Sequence, residues 1–310
     1  MLKSRLAALA VIGLGVLSAP FASAEEFVIP PEVLEAFPIP EDAPAKHAAI
    51  QGPFAVKMYA EESLASFTLF APDDPQSWTE PLPVVAWGNG GCINSNVPVR
   101  NFLTTIASYG FVVIAPGPLE PTEDGATPPD IQKTALDWAT AQNAEAGGKY
   151  EGKLAADNAA AIGTSCGGLQ SYVMASDPRV KTIALLNSGS FPIDPNVPAP
   201  PLPEQFLKLR DAVPKITKPT FIVVGGEGDV AYPNGTADFE LLTAPAVLGD
   251  IKTGHLGTYW QETGGWMAEA TAAWLAWQLR GEQQYADYFR GEACTLCASG
   301  DWVIKTKNLD

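Results

Sequence analysis

Histidine and basic residues are scarce in this chain. His47 and His255 are the only two histidines among 310 residues, so any histidine base must be one of them. Lys and Arg together number 19 against 35 Asp and Glu, which gives a formal net charge of −16. A surface this acidic repels nucleic acid and anionic lipid, so we expect neither as a partner and favour neutral substrates.

Long apolar runs are missing after the N-terminus, which predicts that the mature protein does not insert into a membrane, since a spanning helix needs about 20 such residues. The N-terminus has a basic start, an apolar run at residues 6–17 and an Ala-Ser-Ala sequence at residues 22–24. This pattern predicts a signal peptide, residues 1–24, whose removal leaves a secreted or periplasmic protein.

The remaining residues, 25–310, suit one domain, because 46% of the chain is hydrophobic and can fill a large core. Residues 25–50 are rich in proline, glutamate and alanine and predict an extended N-terminal arm lying on that domain. Apolar, β-prone runs predict strands at residues 66–70, 84–87, 111–115, 159–163, 180–186, 221–224 and 246–251. Stretches with helical spacing predict helices at residues 99–109, 130–146 (with Asp130 as N-cap), 169–175 and 262–279.

Strands that alternate with helices predict an α/β fold with a mainly parallel central sheet. The strands are apolar throughout, which is typical of a sheet covered by helices on both faces. The long proline-rich connection between the strands at 180–186 and 221–224 is too short for a large cap domain.

A serine motif follows the predicted strand at 159–163. Residues 163–167 read G-T-S-C-G, with Ser165 at the centre, and a helical run comes next. In the strand–turn–helix arrangement typical of G-x-S-x-G, the serine hydroxyl projects above the sheet as a nucleophile, and crowding requires the flanking glycines. The alternative is an ordinary glycine-rich turn.

A serine nucleophile needs a base that takes its proton. His255 lies in a glycine-flanked loop just after the last predicted parallel strand, and it follows Ser165 in the chain. His47 lies in the N-terminal arm, before the first predicted strand. His255 is therefore the predicted base, in the order serine, acid, histidine.

The acid that orients this histidine should follow a strand between the two residues. Asp229 comes after the strand at 221–224 and is the predicted acid, with Glu227 as the competitor. Asp194, in the proline-rich loop, and Asp250, at a strand end, are less suitably placed. A strand, a short turn and an aspartate are the usual arrangement of such a triad.

Two backbone N–H groups are predicted to bind the negative oxygen of a tetrahedral intermediate. One belongs to Cys166, directly after the nucleophile. The other comes from the loop after the strand at 84–87, with Asn89 preferred and Gly90 or Gly91 next. A nucleotide-binding loop is disfavoured there because the G-x-G-x-x-G spacing and a P-loop lysine are missing.

From about residue 66 to residue 279, the chain resembles the α/β-hydrolase superfamily. The segments 163–168 and 225–233, together with His255, are similar to those of secreted esterases: cutinase-type polyester hydrolases, dienelactone-hydrolase-like enzymes and platelet-activating-factor-acetylhydrolase-like lipases. The resemblance implies a Ser165, Asp229 and His255 triad that cleaves small or polymeric esters through an acyl-enzyme, without metal or organic cofactor.

Two departures from that family concern the substrate class more than the reaction. The oxyanion loop reads W-G-N-G-G instead of the His-Gly-Gly-Gly of many lipases. Cys166 follows the nucleophile, where polyester hydrolases often carry a bulky apolar residue. We expect Gly90 and the aromatic residues Tyr232, Tyr259 and Trp260 to contact substrate, with core and rim packing as the alternative for the aromatics.

The four cysteines allow three pairings, and export would put them in a compartment that permits disulfides. Cys92 and Cys166 belong to segments that meet at the predicted oxyanion site, so we expect a Cys92–Cys166 disulfide there. Cys294 and Cys297 would close a small C-terminal loop. A zinc site is disfavoured because two cysteines without a nearby histidine lack a ligand set.

The sequence thus predicts a carboxylic ester hydrolase, and two other functions stay open. A serine peptidase or amidase uses the same triad, and a binding protein can keep the fold without catalysis.

Overall fold

Nine strands of the described residues form one twisted sheet, in a computed structural model that describes residues 25–120, 125–192 and 202–309. The predicted signal peptide and Asp194 lie outside these ranges. The strands are β1 Val56–Tyr59, β2 Phe67–Pro72, β3 Leu82–Gly88, β4 Val112–Pro116, β5 Leu154–Thr164, β6 Val180–Leu186, β7 Thr220–Val224, β8 Ala246–Ile251 and β9 Trp302–Lys307.

Helices in the same ranges connect and cover the strands. They are α1 Pro31–Ala36, α2 Arg100–Ser108, α3 Ile131–Ala144, α4 Cys166–Met174, α5 Glu204–Leu207, α6 Leu209–Ala212, α7 Tyr232–Leu241, α8 Gly265–Arg280 and α9 Thr295–Ser299. Within the described part of the chain, every helix is too short or too polar to cross a bilayer.

The sheet has the order β1-β2-β4-β3-β5-β6-β7-β8-β9. The six strands from β4 to β8 in that order run parallel, while β1, β2 and β9 pair antiparallel at the two edges. The parallel strands are almost entirely buried, as expected when helices cover both faces. The predicted α/β fold with a mainly parallel sheet is confirmed.

Two hydrophobic cores lie on opposite faces of the sheet, because successive side chains of a strand point to opposite sides. In β3, Val84 and Ala86 belong to one core, and Val85 and Trp87 to the other. Helices α3, α4 and α7 contribute to the first core, and α2 and α8 to the second. Burial of the helices against both faces fixes the positions of the strand ends.

The elements missed by the sequence prediction have mixed or polar patterns. The edge strands β1 and β9 carry exposed side chains, so they lack the continuous apolar runs of the central strands. Helix α1 interrupts the predicted extended arm. Helix α7 begins at Tyr232, in a segment for which the sequence predicts no helix. Pro233 fits its first turn, because proline lacks an N–H and none is needed at that position. Asp130 precedes α3 as predicted, but its side chain makes no capping hydrogen bond.

The carboxyl ends of the parallel strands share one edge of the sheet, where α/β proteins commonly bind ligands. β3 ends before Asn89, β5 before Ser165, β6 before Asn187 and β7 before the 225–231 loop. The loop with His255 follows β8. The topology therefore collects residues that are far apart in the sequence.

Candidate active site

Ser165 lies in a strained turn between β5 and α4, with φ 52° and ψ −120°. Residues other than glycine rarely adopt a positive φ, and such a conformation costs about 1–3 kcal/mol. Two contacts hold it in place: the Ser165 N–H donates to Leu186 O at 2.9 Å, and the Ser188 hydroxyl donates to Ser165 O at 2.7 Å. The turn leaves the Ser165 side chain partly exposed at the sheet edge.

The glycines around this turn allow two backbone segments to touch. A Cβ atom on Gly88 would lie 2.6 Å from the carbonyl oxygen of Gly167, and a Cβ on Gly167 would collide with the carbonyl of Gly88. A Cβ atom on Gly163 would likewise collide with the carbonyl oxygen of Gly167. Larger residues would push α4 away from β3, which is why the motif requires glycine on both sides of Ser165.

Ser165, His255 and Asp229 form a continuous hydrogen-bonded relay. The Nε2 atom of His255 is 3.0 Å from Ser165 Oγ, and its Nδ1 atom is 2.6 Å from Asp229 Oδ1. A carboxylate can only accept, so Nδ1 carries the proton that Asp229 accepts. Nε2 is then free to accept the proton of the serine hydroxyl, which is the arrangement of an activated nucleophile.

The other histidine belongs to a separate cluster. His47 Nε2 lies 2.8 Å from Glu269 Oε2, and its ring stacks on Trp266 with a centroid distance of 3.5 Å. These contacts attach the N-terminal arm to α8, and they leave His255 as the histidine that meets Ser165.

Asp229 is almost fully buried, with 1% of its surface exposed. Its carboxylate also accepts the N–H groups of Gly225 and Ala231, each at 2.9 Å. Burial by itself raises the pKa of Asp229, but the hydrogen bonds from His255, Ala231 and Asn187 outweigh it and lower that pKa below its ordinary value. The carboxylate therefore stays ionised beside the imidazole.

Among the described residues, the other two acid candidates, Glu227 and Asp250, do not bond to His255. Glu227 is exposed, although it is only two residues from Asp229 in the same loop. Asp250 is half-buried, and burial raises its pKa. Of the candidate acids in the described ranges, Asp229 is the one that the structure brings into contact with the histidine.

Asn187 is a component of this site that the sequence analysis missed. Its side-chain amide donates to Asp229 Oδ2 at 2.8 Å and to Gly254 O at 3.0 Å, so it joins the acid to the histidine loop. Its Oδ1 atom accepts the hydroxyl of Tyr259 at 2.6 Å. The signal was available: Asn187 directly follows β6 at the ligand-binding edge of the sheet.

Tyr259 lies beneath the site and not at its surface, contrary to the expected substrate contact. It is 5% exposed and packs edge-on against Phe102, with a centroid distance of 5.1 Å. Its hydroxyl donates to Asn187 Oδ1. Tyr259 therefore supports Asn187, because a buried phenol needs a partner for its polar tip.

The side chain of Asn89 stabilises the loop after β3 by hydrogen bonds. Its Oδ1 accepts the indole N–H of Trp87 at 2.7 Å, and its amide donates to Ile93 O at 3.0 Å and Pro116 O at 2.9 Å. Gly90 is a loop residue beside Ser165, since a Cβ atom there would lie 3.9 Å from Ser165 Cβ.

Cys166 is the first residue of α4, so its N–H has no acceptor within the helix. The positive end of the helix dipole adds to this N–H and favours negative charge beside Ser165. The predicted oxyanion donors, Cys166 with Asn89, Gly90 or Gly91, remain predictions.

Two disulfides are formed, in the predicted pairing. Cys92 joins Cys166 with a Cα–Cα distance of 5.2 Å, and Cys294 joins Cys297 with a Cα–Cα distance of 5.0 Å. The first bond links the loop after β3 to the residue after Ser165, across 74 positions of sequence. It therefore fixes the two segments predicted to supply the oxyanion donors.

Tyr232 and Trp260, the other predicted substrate contacts, have different surroundings. Tyr232 borders a cavity of about 450 Å³ together with Pro40 and the 225–228 turn. Trp260 is partly covered by the N-terminal arm: the Lys46 ammonium lies 5.0 Å from its ring centroid, and Phe27 N–H donates to its carbonyl at 3.0 Å.

Metal ligands do not cluster in the part of the chain that the structure describes: no group of three or more His, Cys, Asp or Glu side chains there could hold an ion. In comparisons with known proteins, the chain matches no protein-family model and no curated protein.

Proposed function

We propose that this protein is a serine carboxylic ester hydrolase of the α/β-hydrolase type. The observation that carries the proposal is the relay at the sheet edge, with 3.0 Å between Ser165 Oγ and His255 Nε2 and 2.6 Å between His255 Nδ1 and Asp229 Oδ1. These are hydrogen-bonding distances for a nucleophile, its base and the group that orients the base.

In the proposed reaction, Ser165 Oγ bonds to the ester carbonyl carbon while His255 Nε2 takes the hydroxyl proton. The carbonyl electron pair moves to oxygen, which the N–H of Cys166 and one N–H of residues 89–91 stabilise. His255 then protonates the leaving alcohol as the carbon–oxygen bond breaks, and the acyl group stays on Ser165. Water repeats the two steps, releases the acid and restores the serine.

Asp229 remains a carboxylate throughout this cycle and stabilises the positive imidazole when it forms. The lowered pKa of Asp229 supports this role, because proton transfer from His255 to the acid is then unfavourable. The acidic surface favours neutral esters, including aromatic esters and polyesters, over polyanionic substrates.

We further propose that the enzyme acts outside the cytoplasm, in the periplasm or after secretion. The predicted signal peptide and the two disulfides support this, because disulfides persist mainly in oxidising compartments.

A fluorophosphonate probe and a panel of esters with matched anilides test the proposal. We expect covalent labelling of Ser165 and faster turnover of the esters than of the anilides of the same acids. Labelling with cleavage of anilides alone would assign the protein as an amidase. Absence of both labelling and hydrolysis would contradict catalysis and favour a binding protein.

Removal of the Cys92–Cys166 disulfide should lower kcat for esters by about 10- to 100-fold. Loss of one oxyanion donor costs about 3 kcal/mol, or about 100-fold in rate, and loosening the donors costs up to that amount. The measurement compares the Cys92→Ser/Cys166→Ser double variant with Cys294→Ser/Cys297→Ser, which removes the bond far from Ser165 in the sequence. An equal loss of kcat in both variants would assign the effect to general stability.

A further inference from the structure

The N-terminal arm, residues 25–50, runs along the loop that carries His255. Asp42 forms an ion pair at 2.8 Å with Lys252, which lies three residues before His255. Farther along, Ala49 N–H donates to Thr263 Oγ1 at 2.7 Å and Ile50 N–H to Glu269 Oε2 at 2.9 Å. The arm is therefore a fixed part of the site's surroundings.

Phe37 is the arm residue that contacts the histidine. Its ring centroid lies 4.9 Å from that of the His255 imidazole, with the two planes inclined by 37°. Phe37 follows the last residue of α1, and its N–H donates to Val33 O at 2.9 Å, which orients the backbone at this position. The side chain remains partly exposed and belongs to neither hydrophobic core.

Gly254 allows the arm to approach this closely. It has φ 70°, and a Cβ atom there would lie 3.0 Å from both Pro38 O and Pro40 Cδ. The backbone on the C-terminal side of Phe37 thus packs directly on the residue before His255. Contacts on both sides of Phe37 hold its ring against the imidazole.

The chemistry of the proposed reaction assigns a substrate portion to this place. His255 Nε2 protonates the leaving alcohol, so the alcohol oxygen must come within about 2.6–3.2 Å of that nitrogen. In the proposed reaction, the carbonyl oxygen points instead toward the predicted donors, the N–H of Cys166 and one N–H of residues 89–91. A ring in contact with the imidazole therefore borders the alcohol portion of the ester more closely than it borders the carbonyl oxygen.

Apolar side chains are exposed close to Phe37 in the sequence and in the 225–231 loop. Leu34 and Ile39, which precede and follow it on the arm, are 36% and 38% exposed, and Val230 in the loop of the acid is 61% exposed. Exposed side chains of this kind on an otherwise acidic protein offer apolar contact area. This surface suits an uncharged alcohol with an aromatic ring, since aromatic pairs add attraction to simple burial.

We propose that Phe37 is a specificity-determining residue that forms one wall of the site for the alcohol portion of the ester and selects aromatic over small alkyl alcohols. The inference rests on the proposed ester hydrolase function. It assigns to the N-terminal arm a direct part in substrate choice, in addition to its packing on the domain.

The test compares Phe37→Ala with the wild type on ethyl and benzyl acetate, which differ in the alcohol, and on ethyl acetate and ethyl butyrate, which differ in the acid. Phe37→Ala should lower the ratio of kcat/KM for benzyl over ethyl acetate by about tenfold, mainly through KM. The ratio for ethyl butyrate over ethyl acetate should change less than about twofold, because the acyl group lies elsewhere.

Two control variants sharpen this comparison. Phe37→Trp keeps an aromatic wall and should retain the preference for the benzyl ester. Phe54→Ala removes another exposed phenylalanine, 41% exposed, and should leave both ratios unchanged. Because Phe37 lies outside both cores, Phe37→Ala should keep the wild-type thermal unfolding temperature, which reports that the variant is folded.

The outcomes separate this inference from the function on which it rests. An equal fall for every ester, or a change that follows the acyl group, would overturn the inference and leave an active hydrolase in which Phe37 only positions His255. A wild-type protein that hydrolyses none of these esters and takes no fluorophosphonate label would overturn the proposed function itself.

Discussion

Replacement of Ser165 with alanine should reduce kcat for ester hydrolysis by about 10⁴- to 10⁶-fold, the range found when a triad nucleophile is removed. The physical reason is that no other atom takes the place of Oγ at 3.0 Å from His255 Nε2, so the covalent step is lost. Substrate binding contacts and the oxyanion donors remain, which leaves slow hydrolysis by water.

The variant should keep its fold, because the Ser165 side chain is partly exposed and alanine retains the Cβ atom of the turn. The measurement is kcat on ethyl acetate together with fluorophosphonate labelling and thermal unfolding. Ser77→Ala, at an exposed serine in the loop after β2, is the matched control and should be fully active. Hydrolysis within tenfold of wild type by a folded Ser165→Ala protein would refute the proposed nucleophile.

Replacement of Asp229 with asparagine should lower kcat by about 10⁴-fold, because the histidine then adopts the wrong tautomer. The two oxygens of Asp229 accept from His255 Nδ1, Asn187 and the N–H groups of Gly225 and Ala231. An amide presents NH₂ in place of one oxygen, and all of these neighbours are donors. If the NH₂ faces His255, Nδ1 must accept, Nε2 carries the proton, and the hydroxyl of Ser165 loses its base.

Glu227→Gln is the matched control for this prediction, since it makes the same chemical change two residues away at an exposed position. We expect its kcat to stay within about twofold of wild type, because the exposed Glu227 carboxylate does not bond to His255 and exposed substitutions usually have small effects. Equal kcat values for Asp229→Asn and the wild type, or a large loss in Glu227→Gln, would reverse the assignment of the acid.

Asp229 should also make the stability of the fold depend on pH. The pKa of Asp229 is lowered in the folded protein, so its carboxylate stabilises the fold above the pKa of the unfolded chain. That contribution disappears as the pH falls through the lowered pKa. Chemical unfolding of the wild type and of Asp229→Asn at several pH values should show that this contribution is missing from the variant at neutral pH.

Several features of the fold follow from local sequence patterns. Apolar runs gave the bounds of β6 and β8, because these strands are buried on both faces and need no polar alternation. The glycines around Ser165 marked the tight turn, since only glycine fits where the backbones of β3 and α4 touch. The small number of histidines left a single candidate base after Ser165.

The edge strands β1 and β9 and the helices α1 and α7 could not be predicted in this way. β1 and β9 are held by pairing with β2 and β8, so their own side chains carry only a weak pattern. α7 begins at Tyr232 inside a segment that looks like a turn, and its burial against the sheet decides in favour of the helix. Tertiary packing overrides local propensity in such segments.

By itself, the sequence determined the parallel α/β sheet, the turn around Ser165 and the choice of His255, because each depends on local periodicity, steric crowding or composition. Only the tertiary structure decided that Asp229 and not Glu227 meets the histidine, since the path of one loop turns one carboxylate inward and leaves the other in solvent. The same holds for Asn187, Tyr259 and Phe37, whose partners are distant in the chain. Their contacts exist because helices pack on both faces of the sheet and bring separate strand ends together.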